Sequence, residues 1–177
     1  MDEKEFKKLV KKNKYQIFLF SCPAPIPINF AIHCWFVTNY KGKVKRWDLL
    51  DSTHLARTQK ETYHEDFLKG KKVKILSKRS GCVYQDILPP TPGVNKYYWK
   101  PRPLSKGSLK KVIEGDDKSL AYKMISFIEK NAFKYKYKDT YNSLGPNSNT
   151  FIQWIIDKFL ESGFELGWRA IGKNYKK

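Results

Sequence analysis

The sequence predicts one α+β domain, and three observations predict it. Strand-like runs crowd the first third of the chain. Helical periodicity marks the last third. A hydrophobic content of 41%, with 15% aromatic residues, supplies material for a core. A length of 177 residues suits a single domain. The expected domain spans 1–177, with its core at about 15–175 and an amphipathic helical segment within 1–14.

Phe6, Leu9 and Val10 recur at helical spacing among lysines, which predicts a short helix over 3–13. Tyr15 to Ser21 reads as a buried strand. Three prolines in five residues, Pro23 to Pro27, predict an extended connector. Ala31 to Thr38 is the second expected strand. Ile32, Cys34 and Phe36 fall on one face; Ala31, His33, Trp35 and Val37 fall on the other. Both faces are largely apolar, so this strand belongs in the middle of a sheet. A turn signal at 39–43 and the run Val44 to Leu50 complete a hairpin. Residues 51–70 are polar and carry no assignment. Lys71 to Ser77 is expected as a strand with Val73 and Ile75 inward.

Residues 79–107 hold five prolines and three glycines and read as irregular, with Tyr97, Tyr98 and Trp99 packing down as a lid or wall. Leu120, Met124, Phe127 and Ile128 predict a helix over 118–131. Phe133 to Tyr137 alternates aromatic residues with lysines and is expected as an edge strand. Phe151, Ile152, Ile155, Ile156 and Phe159 predict a helix over 150–161.

Charge and cysteine usage bound the function classes. The formal net charge is +18, from 35 basic and 17 acidic residues. Such a charge attracts polyanions, whether nucleic acid, acidic membrane surfaces or acidic proteins. Only Arg46, Arg57, Arg79, Arg102 and Arg169 are arginines, and base and phosphate recognition favours the arginine fork. Lysines spread through every segment read as a solvated surface. Cys22, Cys34 and Cys82 are odd in number and lack paired spacing, which argues against a disulfide framework and a zinc site. No metal and no cofactor is implied. No apolar run approaches the roughly 18 residues of a membrane span. The charged start MDEKEFKKLVKKNK does not resemble a signal peptide. The chain therefore reads as cytoplasmic, with export by a signal-independent route left open.

The chemistry-bearing candidates are His33 and Asn147-Ser148-Asn149, ahead of the last helix. Each has two readings. Ser, Asn and Thr are preferred helix caps, and Thr150 followed by Gln153 matches a capping box. The same position puts a nucleophile in the positive end of a helix dipole, near backbone N–H groups able to hold an oxyanion. His33 reads either as a satisfied core residue or as the base that a serine needs. His54 and His64 lie in the polar stretch and read as surface residues.

These residues carry a resemblance. HCWF at 33–36, GPNSNTF at 145–151 and AIGKNY at 170–175 resemble a bacterial family catalogued as domain of unknown function 3750, over about 15–175. Asn174 stands where that family usually has Asp. A more distant resemblance is to permuted papain-like enzymes, the NlpC-type peptidases and the lecithin:retinol acyltransferase relatives. They place a His on an early strand and a Cys nucleophile later, in an Asn-Cys-Asn-x-Phe-like motif that opens a helix. The resemblance implies a papain-like (permuted) antiparallel sheet packed against helices. It implies His33 as base and Ser148 in the place of the nucleophilic cysteine. Asp48 would orient the imidazole, with Asp51 as the alternative. Asn147, Asn149 and Thr150 would line the oxyanion or substrate site.

The function expected on this basis is an acyl-group hydrolase or transferase acting on an amide or ester. Two other classes stand beside it: a catalytically silent papain-like binding domain, and a basic protein that binds nucleic acid or acidic surfaces. The last would gather Lys69, Lys71, Lys72 and Lys74 beside Lys134, Lys136 and Lys138, with Tyr135 and Tyr137 either stacking on bases or packing inward.

Overall fold

The hairpin signal at 39–43 sets the register of the whole sheet. In this computed structural model, which describes residues 1, 3–24, 30–51, 81–85 and 107–175, strands β2 (Ile32–Tyr40) and β3 (Lys43–Asp51) join through Lys41-Gly42. Both turn residues have positive φ, 48° and 92°, as a two-residue hairpin of the twist-matching kind requires. Asn39 Oδ1 accepts the Gly42 N–H at 2.7 Å and fastens the turn.

β1 (Tyr15–Pro23), β4 (Gly81–Gln85) and β5 (Ser108–Gly115) complete a five-stranded sheet in the order β4-β3-β2-β1-β5. Among the described residues every strand pairing is antiparallel. β2 is the central strand, as its two apolar faces predict. Helices α1 (Glu3–Leu9), α2 (Leu120–Asn131) and α3 (Ser148–Ile156) pack on the two faces. The α+β class and the antiparallel sheet packed against helices are therefore observed.

Strand alternation divides the core in two. Ile17, Leu19, Cys34, Phe36, Trp47 and Leu49 meet Met124 and Ile128 of α2 and Phe151, Ile152 and Ile155 of α3 on one face. Phe18, Phe20, Trp35 and Val37 meet Phe6 of α1 on the other. Burying a side chain of this size contributes about 1.5–3 kcal/mol, so α1, only seven residues long, is held chiefly by Phe6. That ring meets Phe18 and Phe20 edge-on at 5.2 and 5.8 Å between centroids.

Three expectations are corrected and one strand is added. Gly81–Gln85 is a strand inside the stretch read as irregular. Ser108–Gly115 is a strand that the sequence reading left unassigned. β5 is an edge strand with mostly exposed side chains, so its sequence lacks a buried alternation and instead carries the charges that protect an edge. Phe133 to Tyr137 is no edge strand. Ala132–Lys134 forms a 3₁₀ turn, and the Tyr135 ring packs against Phe151 and Trp154 of α3 at 5.3 and 5.0 Å. Its aromatic alternation reflects packing on a helix. Finally, α3 begins at Ser148 and not at Thr150, because the cap is Asn147. The expected strand at 71–77, the Pro-rich connector at 25–29 and the aromatic loop at 97–99 lie outside the described residues.

Candidate active site

β2 and β3 separate at one end, and the site is built in that gap. β1 pairs β2 out to Pro23↔Ile32, whereas the β2–β3 ladder stops at Phe36↔Trp47. The Cys34 N–H and the Ile32 carbonyl thus lack a β3 partner. Asn149 supplies one: its Oδ1 accepts the Cys34 N–H at 3.0 Å, and its Nδ2 donates to the Ile32 carbonyl at 2.7 Å. A side-chain amide continues the ladder like a one-residue strand, and the amino end of α3 is pinned against β2.

Asn147 makes that helix end possible. Its Oδ1 accepts the N–H groups of Asn149 and Thr150 at 3.0 and 3.2 Å. Thr150 Oγ1 accepts the Asn147 N–H at 3.1 Å, closing a reciprocal capping box. The box is Asn147–Thr150, where the sequence suggested Thr150–Gln153. The tail segment AIGKNY locks it further. Ile171 O accepts from both Asn147 Nδ2 and Asn149 Nδ2, and Gly172 O accepts from the Thr150 hydroxyl. Gly172 has φ +84°, and a Cβ there would stand 2.5 Å from Asn147 Nδ2.

Ser148 is thereby carried to His33. The Ser148 Oγ lies 2.8 Å from His33 Nδ1, and His33 Nε2 lies 3.0 Å from Asp48 Oδ2. Arg46 Nη2 donates to that same Asp48 oxygen at 2.8 Å. A carboxylate only accepts hydrogen bonds, so with Asp48 as the carboxylate Nε2 would carry the imidazole proton and Nδ1 would present its lone pair to the serine hydroxyl. Ser148, His33 and Asp48 are 2%, 7% and 0% exposed, so this is a nearly dry chain of hydrogen bonds.

Of the sequence candidates, His33, Ser148 and Asp48 come together. The side chain of Asp51 lies outside the described residues. Asn147, Asn149 and Thr150 surround Ser148, but each side chain is engaged in holding the segment. The N–H groups of Asn149 and Thr150 are taken by the cap. The Ser148 N–H, in the first helical turn, is not taken by the cap. Arg46 escaped the sequence reading, although its i, i+2 spacing from Asp48 on a strand put it on the same face.

Burial pushes the Cys34 thiol up to about 12, so it stays protonated near neutrality. Cys34 also faces away from His33, lining a cavity of about 320 Å³ with Leu19, Ser21, Ile32 and Leu166 on the opposite side of the strand. Among the described residues no group of His, Cys, Asp and Glu could hold a metal ion, and no helix is long and apolar enough to cross a membrane.

With this geometry in place, comparison with known proteins adds one finding. A family described as Protein of unknown function (DUF3750) matches residues 14–175. The chain belongs to that family. The match takes in every member of the constellation, from His33 on β2 to the Gly172 segment that braces the cap. No curated protein and no solved structure matches the chain.

Among the described residues, Lys11, Lys14, Lys41, Lys45 and Lys138 pair with Glu114, Asp116, Asp117, Glu129 and Asp139. Tyr135 is buried and Tyr137 packs on Tyr175 at 5.5 Å, so both turn inward. Lys69, Lys71, Lys72 and Lys74 lie outside the described residues.

Proposed function

We propose that this protein is an acyl-group hydrolase or transferase in which Ser148 is the nucleophile, His33 the base and Asp48 the group that orients the imidazole. The observation that carries the reading is the His33 ring bridging Ser148 and Asp48 at 2.8 and 3.0 Å. A serine hydroxyl is a weak nucleophile and requires such a base. His33 Nδ1 takes the Ser148 proton as Oγ attacks the carbonyl carbon of an ester or amide. The Ser148 N–H donates to the developing oxyanion. The C–O or C–N bond then breaks, and the leaving group takes the proton from Nδ1. Water, or an acceptor hydroxyl or amine, resolves the acyl-serine by the same steps in reverse.

The ring orientation supports a permuted papain-like arrangement. Nδ1 faces the nucleophile and Nε2 the carboxylate, opposite to the chymotrypsin template, where Nε2 serves the serine. The chain order of base on a central strand and nucleophile opening a later helix fits the same reading. A second reading, a silent binding domain on this scaffold, draws on the burial of Ser148, 2% exposed.

A fluorophosphonate probe with intact-mass detection separates the two. The enzyme reading expects one adduct, mapped to Ser148 and lost in Ser148→Ala and His33→Ala at unchanged circular dichroism. A wild-type chain that takes up no adduct, or labels equally as Ser148→Ala, supports the silent domain.

A further inference from the structure

Arg46 and Asp48, two residues apart on β3, share the sheet face that carries His33 and Trp35. Asp48 Oδ2 receives two donors, His33 Nε2 at 3.0 Å and Arg46 Nη2 at 2.8 Å. Its other oxygen, Oδ1, has no hydrogen-bond partner among the described residues. Arg46 is 2% exposed, and its guanidinium carbon sits 4.2 Å from the centre of the Trp35 ring. An arginine stacked on an indole and hydrogen-bonded to a carboxylate is fixed in both position and charge.

We infer that Arg46 is a positioning residue that holds Asp48 as the carboxylate and thereby sets the His33 tautomer that Ser148 needs. The inference rests on the reading of Ser148 as nucleophile.

With Asp48 ionised, the imidazole proton sits on Nε2, and Nδ1 is free to accept from Ser148. With Asp48 protonated, the carboxyl donates to Nε2. The ring proton then sits on Nδ1, pointing at Ser148 Oγ, and the base is disabled. The second state holds one proton more than the first, and a site that water barely reaches, where a lone carboxylate is disfavoured, favours taking it up. A guanidinium on the same oxygen chooses the first. The alternative role for Arg46 is neutralising a buried charge so that the chain folds. That role makes no demand on which ring nitrogen carries the proton.

The test reads the tautomer directly. The full chain is labelled with ¹⁵N-histidine, and long-range ¹H–¹⁵N spectra are recorded for wild type, Arg46→Met and Arg46→Lys. His33 is one of three histidines, and His54→Gln and His64→Gln assign its signals. Wild type is expected as the Nε2–H form. Arg46→Met is expected to populate the Nδ1–H form and to slow fluorophosphonate labelling by about 10-fold or more. Arg46→Lys, which keeps the charge, is expected to keep the tautomer. A folded Arg46→Met that stays wholly Nε2–H overturns the inference, and so does loss of that tautomer in Arg46→Lys. If Arg46→Met lacks the near-ultraviolet dichroism of a folded chain, Arg46→Gln is read in its place. A wild type that takes no label removes the nucleophile reading, while the tautomer still decides the role of Arg46.

Discussion

Replacing Asn149 with alanine tests whether one side chain holds the site together. Asn149 is 3% exposed and makes three hydrogen bonds, to the Cys34 N–H, the Ile32 carbonyl and the Ile171 carbonyl. Ile171 O keeps a second donor, Asn147 Nδ2 at 3.1 Å. The truncation therefore strands two backbone groups, Cys34 N–H and Ile32 C=O, where β3 is too far away to replace the lost partner. An unmade hydrogen bond in a buried site costs about 1–3 kcal/mol, so the pair predicts a loss of about 2–6 kcal/mol. That is a large fraction of the roughly 5–15 kcal/mol by which a domain is stable. Urea unfolding followed by tryptophan fluorescence reads it. With a slope of about 2 kcal/mol per molar, the midpoint should fall by about 1–3 M at unchanged slope. Asn149→Asp keeps the acceptor for Cys34 but loses both donated bonds and adds a buried charge, so it should be no better than alanine. A loss below about 1 kcal/mol for Asn149→Ala would refute the view that an amide side chain completes the β2 ladder, and with it the account of how Ser148 is registered against His33.

Other expectations follow from the same geometry. Gly172→Ala places a Cβ 2.5 Å from Asn147 Nδ2 at a φ of +84°, so it should destabilise by about 1–3 kcal/mol. A thermal midpoint equal to wild type would sink this. With its thiol pushed up to about 12 by burial, Cys34 should resist iodoacetamide at pH 8 in the folded chain and react in urea, as read on its tryptic peptide. Rapid native alkylation would contradict the buried placement. Tyr15 holds the Asp117 carboxyl below its ordinary range by a hydrogen bond, and Lys11 does the same for Glu114. The unfolded chain then binds protons first, so these groups stabilise the fold above the ordinary carboxylate range, and the stabilisation is lost as pH falls through about 4.5 and below. Glu114→Gln combined with Asp117→Asn should flatten the fall of the thermal midpoint between about pH 5 and 3; an equally steep fall would assign that acid sensitivity to other groups.

Some of this protein was determined by the sequence alone. The period-two pattern of β2, apolar on both faces, required a central strand, and the turn at Lys41-Gly42 required a hairpin with β3. The stripe from Phe151 to Ile156 required a helix, and the oxygen-bearing side chains before it required that the helix begin there. Local rules decide these features, because each depends on residues a few positions apart. Asp48 was legible as a neighbour of His33 because it lies on the strand that follows it. The strands β4 and β5 were not legible. β5 carries mostly exposed side chains and so shows little buried alternation, and the neighbour it pairs with defines it.

Tertiary structure decided the rest. Nothing local tells that the Asn149 amide would replace a missing strand partner 115 residues away at Cys34. Nor does anything local tell that Ile171 and Gly172 would brace the cap. The sequence showed that Ser148 could cap a helix or act as a nucleophile. In the fold Asn147 caps, and that leaves the Ser148 hydroxyl free to face His33. Arg46 was hidden for the same reason. A lysine-rich chain offers no signal to distinguish one buried arginine from a solvated cation, until packing sets it against Trp35 and Asp48, where its charge cannot be exchanged for water.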